Sequence, residues 1–354
     1  MNRKLLAVTA LLALFVIGLG AYVRLSDAGL GCPDWPGCYG HYLGVPSTPD
    51  EQAAAQASYP VREVHAGKAW KEMVHRYAAG SLGLLILTLC LQSWRRAARQ
   101  TASPILPTLL LGLVCAQAAL GMWTVTLLLK PVIVTLHLLG GMSTLALLLA
   151  LLMRQAAPSP LPVTAVPIRL RWLAGLVLAT VFGQIAIGGW VSSNYAALAC
   201  TAFPHCLDGG TPAMDFHHAF TLFRELGETA AGQPLPGEAL IAIHWLHRLG
   251  ALLVAGLVAG LAWQLLRHPG LRRWGQALLG VLILQLGLGI LNVLAALPLP
   301  IAIAHTVGAA LLLGTTLAVN LHITGGLRQH SRAPQEKIRL AIFSQINRAL
   351  GRST

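Results

Sequence analysis

The segment Glu72-Met73-Val74-His75-Arg76 recurs as His244-Trp245-Leu246-His247-Arg248, with a carboxylate in the first copy where the second has an imidazole. A further histidine follows each copy: His137 in Thr135-Leu136-His137-Leu138-Leu139-Gly140 and His305 in Ala304-His305-Thr306-Val307-Gly308. One isolated histidine in an apolar segment is read most simply as a donor to a neighbouring backbone carbonyl. Four in two matched pairs point further, because ionisable groups inside a bilayer are expensive and mark function. Two neutral imidazoles approaching from opposite sides suit a six-coordinate haem iron. Zinc fits less well, since a closed site wants four N or S ligands in a tetrahedron. His75, His137, His247 and His305 are therefore candidate axial ligands of two haem irons.

Glu72 precedes His75 by three residues and His244 precedes His247 by three, so each lies on its ligand's helix face, one turn nearer the outer surface. Both would overhang the edge of a bound ring. Arg76 and Arg248 are turned about 100° from the ligands and have two open roles, pairing with a haem propionate or snorkelling to headgroups. A carboxylate at this depth could simply be solvated or paired with Lys68, Lys71 or Arg76. The absence of a carboxylate at the matching place in the second copy argues instead that one of the two sites does chemistry. Glu72 would serve there as a general base or a stabiliser of positive charge.

Cys32 and Cys38 share their spacing with Cys200 and Cys206. On an oxidising outer side, two intraloop disulfides are expected, tying down the loops that cap the two sites. A redox role for Cys32 and Cys38 is the second reading, since short-loop disulfides can exchange. Cys90 and Cys115 fall in helices and read as small apolar residues.

These residues need a membrane scaffold to position them. With 55% hydrophobic and 10% charged residues in 354, the chain is too apolar for a soluble domain. Apolar runs long enough to span a bilayer fall near 5–23, 70–92, 105–128, 131–153, 172–191, 241–265, 274–296 and 300–323. The expectation is an all-α polytopic membrane protein with eight transmembrane helices. The first run could pass for a cleaved signal peptide, but its exit is repeated after residue 188, where no signal can lie, so it reads as a retained helix. Lysine and arginine collect at Arg3 and Lys4, at Arg95, Arg96 and Arg99, at Arg154, Arg169 and Arg171, at Arg267, Arg272 and Arg273, and in the tail from Arg328. These are alternate helix ends. The positive-inside rule then makes both termini cytoplasmic and puts the loops near 24–69 and 192–240 outside. The net charge of +13 reflects this topology and contact with anionic lipid rather than nucleic acid.

The two copies share one register. Cys32 with Cys200, Pro36 with Pro204, Cys38 with Cys206, Gln117 with Gln285, Gly121 with Gly289, His137 with His305 and Gly140 with Gly308 are each 168 apart (305 − 137). The second-helix motif is offset by 172 (247 − 75), so the second outer loop is longer by four residues. The chain reads as two tandem four-helix bundles, residues 1–155 and 156–327, related by a pseudo-twofold axis along the membrane normal, followed by a basic cytoplasmic tail at 328–354.

With Glu-x-x-His-Arg in helix two, His-x-x-His-Arg in helix six, histidines in helices four and eight and paired outer-loop cysteines, the chain resembles the heme A synthase family over about residues 5–325. The resemblance implies oxidation of the C8 methyl group of heme O to the formyl group of heme A, with water as oxygen source, for cytochrome c oxidase. It implies a heme O site in the amino-terminal half, with His75 and His137 as axial ligands and Glu72 catalytic. A resident heme b is implied in the other half, on His247 and His305. A bacterial inner-membrane location, a heme O synthase that delivers substrate and an unidentified electron acceptor go with it, and a homo-oligomer is left open. The alternatives are a di-haem b-type electron-transfer protein, which needs no carboxylate in one half only, and a secondary transporter, which would want its histidines nearer the midplane.

Overall fold

The computed structural model describes residues 2–60, 63–99, 103–156, 166–207 and 212–324. Among the described residues the regular elements are helices, and eight of them are long and apolar enough to cross a membrane. These are α1 (Arg3–Leu25), α3 (Ala66–Ala98), α4 (Ile105–Thr126), α5 (Pro131–Ala156), α6 (Ile168–Ser193), α8 (Gly237–Leu266), α9 (Arg272–Leu294) and α10 (Leu299–Ile323). Two short helices, α2 (Pro49–Ser58) and α7 (Phe216–Ala219), lie in the long loops. The basic tail expected at 328–354 lies outside the described residues.

Local sequence accounts for the helix ends. The Asn2 side chain accepts from Lys4 N and Leu5 N at the start of α1. Thr48 and Glu51 cap each other's amides around Pro49 at the start of α2, a capping box. That helix carries no apolar stripe and forms no part of an apolar run. The polar residues in 66–71 also add turns to α3 ahead of its apolar run near 70. As a result, α3 and α8 begin earlier than the apolar runs do, and His75 and His247 lie about a turn deeper from their helix starts than His137 and His305 do. Measured from the starts of the apolar runs at 70, 131, 241 and 300, the four histidines lie at one depth of five or six residues; measured from the helix starts they do not.

The α4–α5 and α9–α10 turns are alike. Leu128 and Leu129 have φ of 52° and 58°, and Ala296 and Leu297 have φ of 55° and 61°. In each turn an amide closes back onto the preceding helix, Leu129 N to Thr124 O at 2.8 Å and Leu297 N to Asn292 O at 2.7 Å.

Packing divides the helices into two closed rings. α1, α3, α4 and α5 touch in sequence, and α1 meets α5; α6, α8, α9 and α10 do the same, and α10 meets α6. The rings join through α1 with α10, α5 with α6 and α5 with α10. One continuous apolar core runs through both, from Leu6, Ala13 and Ile17 on α1 and Leu145 and Leu148 on α5 to Val177 and Val181 on α6 and Leu313 and Val319 on α10. Large apolar side chains such as Leu11, Phe15, Leu84, Trp172 and Leu252 face outward, as a lipid-facing surface requires. Polar ties cross between the rings: Thr135 and Ser193 share a hydrogen bond of 3.2 Å, and Lys130 pairs with Glu225 at 2.7 Å.

Candidate functional site

The two histidines of each ring come together. The imidazoles of His75 on α3 and His137 on α5 lie within electrostatic reach of one another, as do those of His247 on α8 and His305 on α10. Each ring rests on a glycine of the adjacent helix. A Cβ added at Gly20, Gly121, Gly188 or Gly289 would lie 3.1, 3.4, 3.0 or 3.1 Å from Cε1 of His75, His137, His247 or His305. The missing side chains let the Cε1 corner of each imidazole come close to the neighbouring helix. Among the described residues no three His, Cys, Asp or Glu side chains group tightly enough to hold a metal ion. The sites therefore offer pairs of imidazoles. The Nδ1 atoms of His75, His137 and His305 are buried without a hydrogen-bond partner. Paired imidazoles on glycine seats, inside apolar rings of helices, fit a tetrapyrrole iron held from both sides.

Above each pair sits a capped loop. Cys32 is bonded to Cys38 and Cys200 to Cys206. Arg76 donates to the carbonyls of Asp34 at 3.0 Å, Pro36 at 3.3 Å and Gly37 at 2.5 Å. Arg248 does the same in the second loop, to Ala202 at 2.8 Å, His205 at 2.9 Å and Cys200 at 2.9 Å. The sequence leaves propionate and headgroup roles open for these arginines; the structure places both guanidinium groups on the disulfide loops. Gly31 is needed where the first loop meets α3, since a Cβ there would lie 2.6 Å from the Lys68 carbonyl carbon and oxygen.

Glu72 is buried, at 4% exposure. One carboxylate oxygen accepts from Cys32 N at 2.9 Å, and the other forms an ion pair with Arg76. Of the cations considered from sequence, Lys68, Lys71 and Arg76, it takes Arg76. His244 holds the matching place and is also buried; its Nε2 accepts from Arg248 Nε at 3.2 Å. The two sites thus share a histidine pair, glycine seats, a disulfide and an arginine, and differ in the residue one turn above the first histidine, Glu72 against His244.

The second loop is tied down further. Arg224 is buried, donates to Asn194 Oδ1 and to Glu228 O at 3.2 Å, and lies 5.8 Å over the Trp190 ring. Asp215 caps α7, and the His218 backbone amide holds its carboxyl below the usual carboxylate range. Where the halves meet at the outer face, Arg24 donates to Ser192 O at 2.7 Å and stacks 3.8 Å over Tyr195, whose phenol bonds Asp27 at 3.2 Å. Burial holds that phenol above its ordinary range. Neither Arg224 nor Arg24 announces itself in the sequence, because each acts through loop geometry.

The cytochrome oxidase assembly protein family, COX15-CtaA, matches residues 3–317 of this chain. The chain belongs to that family. Within reach of the COX15-CtaA match lie all four histidines, Glu72 and all four loop cysteines. The chain is similar to the Heme A synthase of Shewanella oneidensis, with 45% identity over 322 residues that cover 89% of this chain and 94% of the relative. It is also similar to the Heme A synthase of Maricaulis maris, at 28% identity over 87% of this chain and 91% of the relative. The Heme A synthase of Halalkalibacterium halodurans is 25% identical over 87% of this chain and 92% of its own length.

Proposed function

We propose that this chain is a heme A synthase of the COX15-CtaA family, oxidising the C8 methyl group of heme O to the formyl group of heme A. The observation that carries the mechanism is the combination of two imidazole pairs with one buried carboxylate, Glu72. Heme O is the substrate of the amino-terminal ring, with His75 and His137 as its axial ligands. His247 and His305 of the carboxy-terminal ring would hold heme b. When bound, heme b supplies a one-electron centre beside the substrate site.

The protein contributes position and charge. Taking electrons from a ring methyl leaves an electron-poor carbon, and the Glu72 carboxylate stabilises it and orients an attacking water. Two such two-electron oxidations give a geminal diol, which loses water to the aldehyde. Arg76 and the Cys32 amide hold Glu72 in place. The disulfide loops close the outer ends of both rings. The electrons pass to an acceptor of the same membrane, and a heme O synthase supplies the substrate. The chain sits in a bacterial inner membrane with both termini cytoplasmic, and its halves are related by a pseudo-twofold axis along the membrane normal.

The test is chromatographic and pyridine-haemochrome analysis of purified protein. Heme b together with heme O or A is expected. Heme b alone in both rings would support a b-type electron carrier instead, and no haem at all would overturn both readings.

A further inference from the structure

Three of the four histidines share a second feature that the fourth lacks. Three residues after each of His137, His247 and His305 stands a glycine, and a glutamine from an adjacent helix lays its carboxamide over it. A Cβ at Gly140, Gly250 or Gly308 would lie 1.5, 2.1 or 2.3 Å from the amide of Gln117, Gln184 or Gln285. The seated amide reaches the histidine in two of the three cases. Gln184 Nε2 donates to the His247 carbonyl at 2.7 Å and lies 3.0 Å from its Nδ1. Gln285 Nε2 donates to the His305 carbonyl at 3.1 Å and lies 3.4 Å from its Nε2. Gln117 Nε2 is buried over Gly140 without a partner.

His75 has neither part. The repeat register puts Val16 opposite Gln184 (184 − 168) and Ala78 opposite Gly250 (250 − 172). By that register Ala78 carries a methyl where Gly250 leaves room for the carboxamide, and Val16 has no group to donate. Gln184 ties His247 through its carbonyl whichever ring nitrogen carries the proton, whereas the Nδ1 of His75 is buried without a partner.

We infer that Gln184 seated on Gly250 is a positioning device that fixes His247, and that its replacement by Val16 and Ala78 leaves His75 the least restrained of the four ligands. The inference rests on reading these histidines as haem ligands. Its consequence is functional. A resident haem is best held between two restrained imidazoles, whereas a site that takes up heme O and releases its product needs one ligand that lets go. His75 is that ligand, one turn below Glu72. Outer-shell partners of metal-bound histidines typically contribute about 10–100-fold in affinity, which is ample to separate a resident from an exchanging site.

The experiment follows transfer of haem from purified full-length protein to apomyoglobin, resolved by haem type. Gln184→Val is expected to speed loss of heme b by about 10–100-fold and to broaden its low-spin spectrum, with Gln184→Glu retaining more of the wild-type rate. Val16→Gln with Ala78→Gly is expected to slow loss of heme O and heme A from the amino-terminal ring by a similar factor, so that the protein purifies with more heme A. Val16→Gln alone gains nothing, because the Ala78 methyl blocks the seat. The reciprocal double variant keeps the inference testable if Gln184→Val fails to accumulate. Unchanged transfer rates in Gln184→Val and in the double variant would overturn it. His247→Met and His75→Met serve as references: if these leave haem content and transfer untouched, the ligand reading itself has failed.

Discussion

Glu72 carries the difference between two otherwise matched sites, and its surroundings show how a carboxylate is kept inside a membrane protein. An unpaired charge at this depth would be costly, so Arg76 and the Cys32 amide each take one of its oxygens. Glu72→Gln keeps the size and an acceptor for the Cys32 amide while removing the charge. Conversion of heme O to heme A is expected to fall by about 10²–10³ with haem content retained, and His244→Ala to be much milder. Haem A measured at wild-type yield in the Glu72→Gln protein would assign the carboxylate a structural role. A second residue-scale expectation concerns Gly31. A methyl there meets the backbone of Lys68 and Ala69, where neither side can give way. Gly31→Ala should therefore cost about 1–3 kcal/mol, read as a lower thermal midpoint, together with looser retention of haem in the amino-terminal ring.

At the scale of elements, each histidine pair draws on two helices of one ring, α3 with α5 and α8 with α10. The rings should therefore lose haem independently. His247→Met or His305→Met is expected to lower heme b while the amino-terminal ring still accepts heme O, as checked by haem analysis of purified variants. Equal loss from both rings would mean that the pairs are assigned across the wrong helices. The disulfide loops are elements too. Alkylation and mass spectrometry of protein from native membranes should find Cys32, Cys38, Cys200 and Cys206 oxidised and Cys90 and Cys115 as thiols.

The whole molecule is two rings joined by a shared apolar core and a few polar ties. Arg24 spans that junction at the outer face, bonding Ser192 O and stacking on Tyr195. The Arg24–Ser192 bond and the neighbouring Asp27–Tyr195 bond each join positions 168 apart in sequence, so corresponding places in the two halves meet there. Arg24→Ala removes the bond to Ser192 O and the stacking on Tyr195, and a loss of about 1–2 kcal/mol is expected in the thermal unfolding of the detergent-solubilised protein, with both haem complements intact. A shift of haem content in that variant would mean that the junction shapes the sites as well as joining them.

The eight spans were legible in the sequence because bilayer crossing demands long apolar runs, and burial of the chain's backbone leaves helices as the form those runs take. The paired histidines and Glu72 stand out in the sequence for a related reason: polar residues are rare enough inside such runs that a repeated one is conspicuous. α2 was not, since its capping box and alanines carry no apolar stripe. Nor were the uses of Arg76 and Arg248, because the sequence supplies a cation at each place while only the folded loop decides which carbonyls surround it. The same holds for Gln184, Gly250, Val16 and Ala78. Their identities stand in plain view in two copies of one repeat, but a glutamine 63 residues from His247 acquires a role only when helix packing brings its amide within 3.0 Å of the ring. Chemistry at a distance along the chain is set by which side chains the packed helices bring within hydrogen-bonding reach, and that is a property of the tertiary structure.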